Sequence, residues 1–161
     1  MTASKTVAIG CDEAAVELKE TISDYVCQLG HTVEDLGVHR GETILYPDIA
    51  FAVANAVRAG RAERGILMCG TGIGVAMSAN KVPGIRAAQA HDTYSAERAR
   101  KSNDAHIVTL GGRVVGSELA KAIVIAFLSS EFAGGGSAEK VDRIKAYERE
   151  LEEQRGSAPA D

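Results

Sequence analysis

The 161-residue sequence contains no tryptophan, and aromatic residues make up only 4% of it. Stacking platforms for single-stranded nucleic acid are therefore not expected. A net charge of −4 removes the electrostatic reason for a nucleic acid or an anionic membrane surface as partner. No apolar run approaches the ~20 residues that cross a bilayer, and Met1-Thr-Ala-Ser-Lys5 lacks the apolar core of a secretory signal. Three scattered cysteines, Cys11, Cys27 and Cys69, fit neither a disulfide framework nor a zinc site. A reducing cytoplasm and no metal are the simplest expectations. Apolar residues at 45% and charged residues at 25% are ordinary for a globular chain. The length suits one domain, residues 1–161, and no internal repeat is visible.

What is present is a regular alternation of strand and helix patterns. Strands are predicted at Thr6–Cys11, His31–Leu36, Ile66–Met68, Ile85–Ala90 and His106–Leu110. Between them, Glu13–Leu29 has helical periodicity through Val16, Leu18, Ile22 and Val26, with Gly30 as its stop. Pro47 opens a helix that stops at Gly60. A helix follows the glycine-rich turn after Met68, Asp92 or Thr93 caps another through Lys101, and Gly116–Leu128 is a further helix. This alternation predicts a doubly wound, Rossmann-like α/β fold: a five-stranded parallel sheet with helices on both faces. Ser137 can cap an extra C-terminal helix over residues 137–155, charged but carrying Val141, Ile144 and Tyr147 at a spacing of three. Residues 156–161 are expected to be unstructured.

In such sheets ligands bind beyond the carboxyl ends of the strands. Asp12 and Glu13 follow the first strand, Cys69 to Gly74 the third, His91 and Asp92 the fourth, and Gly111 to Arg113 the fifth. Carboxylates, a thiol, backbone amides and an arginine thus converge on one edge, a set suited to a small polyol bearing an anionic group. The segment Cys69-Gly-Thr-Gly-Ile-Gly74 is central. Gly70, Gly72 and Gly74 let backbone approach a ligand closely, and the amides opening the next helix form an anion cradle. A thiol at that electropositive point is expected to have a lowered pKa. The alternative is an inert packing cysteine on an ordinary turn. The loop has no Gly-Lys-Ser/Thr ending and no dinucleotide fingerprint, so no nucleotide cofactor is implied.

These residues resemble the type B ribose-5-phosphate isomerases and their galactose-6-phosphate isomerase relatives. The resemblance runs from about Val7 to Glu148 and rests on Cys69-Gly-Thr-Gly-Ile-Gly74, Asn80-Lys-Val-Pro-Gly-Ile-Arg86, Ser102-Asn-Asp104 and Gly112-Arg-Val-Val-Gly116, with a weaker match at Gly10-Cys-Asp12. It implies a metal-independent aldose–ketose isomerase of phosphorylated sugars, working through a cis-enediolate. The base in this family is either a cysteine aligned with Cys69 or a glutamate aligned with Val75, so the sequence looks like the cysteine type. Thr71 and the amides from Gly70 through Gly72 and Ile73 to Gly74 would stabilise the enediolate. Asp12 and Asn103 would hold substrate oxygens, and Arg113 with Lys140 the phosphate. The resemblance also implies a homodimer, with possible pairing into tetramers, in which Asn103 and Arg113 serve the neighbour's Cys69.

Three departures stand out. Glu13 replaces the family's histidine after the first strand, Ser102 replaces its ring-opening histidine, and its last-helix arginines become Gly136 and Lys140. Serine cannot do imidazole's acid–base work near neutral pH. A tetrose 4-phosphate cannot close a furanose, because its O4 is esterified, and so needs no ring-opening acid. Residues Lys81 to Arg98 also resemble the erythrulose-4-phosphate isomerase branch, which serves erythritol catabolism. The expected reaction is therefore D-erythrulose 4-phosphate to D-erythrose 4-phosphate, with ribose 5-phosphate to ribulose 5-phosphate as the alternative. A non-catalytic sugar-phosphate-binding module is the rival of a different class.

Some of the remaining residues carry two readings and others one. Cys11 and Cys27 read as core. Glu13 either contacts substrate or places favourable charge at a helix start. Tyr46 either lines the sugar pocket or packs a loop. His91 reads as a structural hydrogen-bond partner. His31, His39 and His106 read as surface or strand residues. Arg143 either assists Lys140 or sits on a solvated face.

Overall fold

In a computed structural model that describes residues 3–157, the five strands form a single sheet. They are β1 (Thr6–Cys11), β2 (Thr32–Asp35), β3 (Arg64–Cys69), β4 (Ala87–Gln89) and β5 (Ile107–Gly111). The spatial order is β2-β1-β3-β5-β4, and every pairing is parallel. The chain steps outward from β1 to β2, then resumes on the other side with β3. The carboxyl ends of β1 and β3 therefore meet at the point where strand order reverses, where a doubly wound sheet opens a crevice.

The helices are α1 (Val16–Gln28), α2 (Tyr46–Arg58), α3 (Ile73–Ala79), α4 (Thr93–Lys101), α5 (Ser117–Leu128) and α6 (Ala138–Gly156). One face of the sheet packs against α1, α4 and α5 through Ile9, Ile22, Val26, Leu110, Ile123 and Phe127. The other packs against α2 and α3 through Ala8, Val53, Leu67, Val75 and Ile107. Strands covered on both faces explain why β3 and β5 are mostly apolar, Arg64 at the start of β3 and Thr109 within β5 being the exceptions. Phe127 has no exposed surface, and its truncation to Ala removes about 3–5 kcal/mol of stability.

The buried stripe of α1 is Val16, Lys19, Ile22 and Val26, at helical spacing. Lys19 is the unexpected member. Its ammonium meets Asp35 at 2.7 Å, so the charge that enters the core is paired. Cys27 lies one residue beyond this stripe, about 100° around the helix, and is exposed, which corrects its assignment to the core. His31, read above as a surface or strand residue, is buried, its Nδ1 accepting the Lys5 backbone N–H at 3.2 Å.

Boundaries differ where turns compete with regular structure. A 3-10 turn over Glu13–Ala15 precedes α1, because the Asp12 carboxylate caps it through the Ala14 N–H at 3.0 Å. The fourth strand is only three residues long, since the turn through Pro83 ends at Gly84 and Ile85 and Arg86 follow it without joining the ladder. Ser137 does not cap the last helix with its side chain. It closes a 3-10 turn over Gly135–Ser137 and is itself in helical conformation. The last helix continues to Gly156, and residues 158–161 lie outside the described part of the chain. Val141 is buried, whereas Ile144, Tyr147 and Leu151 on the same helix are half exposed. Among the described residues no helix is long and apolar enough to cross a membrane.

Candidate active site

The site grows from the carboxyl end of β3. The strand delivers Cys69 at its last position, with the side chain only 5% exposed. The chain then turns through Gly72, whose φ of 76° lies in the left-handed region that glycine adopts freely. A Cβ there would stand 2.8 Å from the Leu110 carbonyl carbon, so the tight turn also needs the missing side chain.

Every carbonyl of this turn is tied back to the protein. Cys69 O accepts from Gly112 N–H at 2.8 Å and Gly70 O from Arg113 N–H at 3.1 Å. Thr71 O accepts from the Gln89 carboxamide at 2.6 Å, and Gly72 O from the buried Thr109 hydroxyl at 2.7 Å. With its oxygens held inward, the turn presents amides outward. Gly72 N–H donates to the Cys69 sulfur at 3.2 Å, and Ile73 N–H donates to the Thr71 hydroxyl at 3.3 Å. Those two amides are engaged locally. The amides of Gly70, Thr71 and Gly74 have no acceptor among the described residues, so the free cradle is narrower than the five-amide one expected.

Neighbouring elements bring the other groups. The Tyr46 ring, at the start of α2, lies against Gly74, where a Cβ would be 2.6 Å from it. Arg113 spans Gly70, with its guanidinium about 3.6 Å from where a Cβ would stand. Asp12 is half-buried, which raises its carboxyl pKa, while Arg113 works in the opposite direction. Glu13 is exposed and lines a cleft of about 650 Å³ with Thr21, Arg40, Gly112 and Ser117. His91 accepts the Gly111 N–H on Nε2 at 3.1 Å, the structural role read from sequence. Val75, at the family's alternative base position, is fully buried in the same apolar cluster as Cys69. Burial pushes the Cys11 thiol up to about 12, so this second strand-end cysteine stays protonated. Among the described residues no group of three or more His, Cys, Asp or Glu could hold a metal ion.

Arg113 requires a correction. It was expected to serve a neighbouring chain's Cys69, yet it lies on its own Gly70 and close to its own Asp12. The expectation came from a shared dimer site without a sheet register to say which end each residue occupies. Asn103 sits elsewhere. It precedes β5, whose first residue pairs with Gly65 and whose last pairs with Cys69. That is at least about 13 Å of strand away from Cys69. Ser102 caps the end of α4 beside it. Lys140 is exposed in the first turn of α6, which follows the segment tied to this amino end by the ion pairs of Glu131 with Lys5, Arg64 and Arg100. One chain therefore gathers Asp12, Glu13, Tyr46, Cys69 to Gly74 and Arg113 at one end, and Asn103 at the other. Gln89 and Thr109, which anchor the turn, were missed. Gln89, a polar residue closing an otherwise apolar strand, was a signal that was available.

A parallel doubly wound sheet with a thiol and an amide turn at its switch point defines a class of domain built to bind and transform a small anionic molecule. The comparisons with known proteins narrow it. Residues 7–144 match the family described as Ribose/Galactose Isomerase. A D-erythrulose-4-phosphate isomerase of Pectobacterium atrosepticum is 56% identical over 150 residues, covering 92% of this chain and 99% of that one. A ribose-5-P isomerase B of Listeria innocua is 50% identical over 143 residues, covering 89% and 97%. The solved ribose-5-phosphate isomerase B of Clostridium thermocellum superposes with a TM-score of 0.88 at 44% identity, covering 91% and 99%. The chain belongs to the ribose/galactose isomerase family, and it is an isomerase.

Proposed function

We propose that this isomerase interconverts D-erythrulose 4-phosphate and D-erythrose 4-phosphate, with Cys69 as the proton-transfer base. Ser102 carries this reading: the position of the family's ring-opening histidine holds a hydroxyl, which suits a substrate that cannot cyclise. The 56% identity to a D-erythrulose-4-phosphate isomerase supports it. In the proposed reaction the Cys69 thiolate takes a proton from C1 of the ketose, next to the carbonyl. Electrons move onto the carbonyl oxygen, and a cis-enediolate forms. The same sulfur returns the proton to C2, giving the aldose, while a hydroxyl proton passes from O1 to O2. The Gly72 amide supports negative charge on the sulfur. The free amides of Gly70, Thr71 and Gly74, with the Thr71 hydroxyl, face the charge that develops on the enediolate. Asp12 binds a substrate hydroxyl, Tyr46 closes the sugar pocket, and Arg113 attracts the phosphate.

A complete site in this reading takes Asn103 and Lys140 from a second copy of the chain. The position of Asn103 beyond the far end of the sheet from Cys69 supports it, as do the half-exposed Ile144, Tyr147 and Leu151 of α6. Ribose 5-phosphate is the second reading, supported by the name of the Listeria innocua relative. Measured side by side, kcat/KM for erythrulose 4-phosphate should exceed that for ribose 5-phosphate. An equal or higher value for the pentose rejects the tetrose assignment. Substrate recovered from deuterated water should carry deuterium at the exchanged carbon. A folded protein that binds the sugar but exchanges no proton is a binding module instead.

A further inference from the structure

Asp104 is the only non-glycine residue with positive φ among the described residues, at 49°. Left-handed backbone costs an L-residue about 1–2 kcal/mol, and glycine would occupy it freely. The position follows Asn103 at the end of α4, where a glycine commonly ends a helix. A carboxylate stands there instead, and two arginines converge on it.

Arg86 donates from Nη2 to Asp104 Oδ2 at 2.7 Å and to the Asp104 carbonyl at 2.8 Å. Its Nε donates to the Asn103 carbonyl at 3.1 Å and the Asp104 carbonyl at 3.2 Å. Arg100, only 3% exposed, donates from Nη1 to Asp104 Oδ1 at 3.0 Å and to the Ala105 carbonyl at 2.6 Å. The carbonyls of residues 103, 104 and 105 are thus all fixed. Asn103 itself is exposed, and its carboxamide has no partner among the described residues. The bonding at this turn goes to the backbone carbonyls and to the Asp104 carboxylate, and the Asn103 side chain is left free. Strained, over-determined backbone of this kind collects at functional sites.

We propose that Arg86, Asp104 and Arg100 form a clamp that presents the Asn103 carboxamide to the active site of a second copy of the chain. The three are positioning residues. The proposal rests on the reading that Asn103 completes a neighbour's site. Substrate oxygens must be held to within a fraction of an ångström for proton transfer, so a loosened turn costs turnover without unfolding the chain.

The test uses mixed dimers of two differently tagged full-length chains, co-expressed and purified on both tags. Asp104→Asn keeps a residue that tolerates left-handed backbone but removes the charge. Asp104→Gly relieves the backbone strain as well, and serves if Asp104→Asn fails to fold. Either variant alone should lose about tenfold or more in kcat. Paired with Cys69→Ala, it should recover to about half of wild-type activity, because one of the two sites then combines an intact Cys69 with an intact Asn103 turn. General damage to the variant chain would harm its own Cys69 and prevent that recovery. Full activity of both Asp104 variants overturns the proposal. So does a mixed dimer that stays inactive while Cys69→Ala paired with Asn103→Ala recovers. If that second pair also stays inactive, or Asn103→Ala alone is fully active, the shared-site reading fails and takes the clamp's function with it.

Discussion

Acidification should destabilise this fold through one imidazole at the amino end of β5. His106 is largely buried, and Arg86, Arg100 and Arg64 lie around it, with Asp104 opposing them. Burial first, and then these cations, push its pKa from 6.5 down to about 4. Its Nδ1 accepts the Arg86 backbone N–H at 3.1 Å, so the neutral ring has a task that the protonated ring cannot perform. A depressed pKa means that the unfolded chain takes up a proton before the folded one does. The stabilisation is therefore complete above pH 6.5 and is lost progressively as pH falls toward 4. A shift of that size is worth about 3 kcal/mol in full, of which about 2 kcal/mol is gone at pH 5. Urea unfolding between pH 7.5 and 4.5 should show this slope in the wild type. His106→Asn keeps an acceptor near the Nδ1 position but cannot titrate. Its curve should be flatter over the same range, after allowance for carboxylates such as Glu131, whose pKa is lowered and whose contribution fades at more acidic pH. Parallel slopes in the two proteins refute the reasoning.

Iodoacetamide should modify the exposed Cys27 without loss of activity, inactivate the enzyme only as Cys69 reacts, and leave Cys11 untouched until the chain unfolds; peptide mapping against residual activity checks this. Co-purified mixed dimers of Cys69→Ala and Asn103→Ala should regain about half of wild-type activity, whereas Cys69→Ala with Arg113→Ala should stay inactive, because Arg113 lies on its own chain's Gly70. Gly72→Ala should lower stability by about 1–2 kcal/mol from left-handed backbone alone, more as its Cβ meets Leu110, and should cut turnover by displacing the Thr71 and Gly72 amides. Thermal unfolding and kcat measured on that variant should fall together.

Apolar periodicity located β1, β3 and β5 most sharply, because these central strands are buried along nearly their whole length, and it located α1 and α2 because each has one buried stripe. Glycine spacing located the Cys69 turn for the same physical reason that the chain needs it: left-handed φ at Gly72 and no room for a Cβ. What periodicity could not reveal was burial that depends on distant partners. Lys19 enters the core only because Asp35 waits there, and His31 only because it accepts a backbone amide of Lys5. Nor could it say which end of the sheet a loop residue occupies. Arg113 and Asn103 are ten positions apart, yet the whole of β5 lies between them. Their separation became visible only in the strand register.

The Tyr46 ring rests on Gly74, and the residue is 43% exposed. With no tryptophan in the chain, four tyrosines supply all of its strong near-ultraviolet absorption and emission. In the proposed site one chromophore in four therefore stands beside the sugar. On that proposal the protein carries its own optical reporter of occupancy, and ligand binding should be visible by unlabelled difference spectroscopy, in which the other three tyrosines cancel.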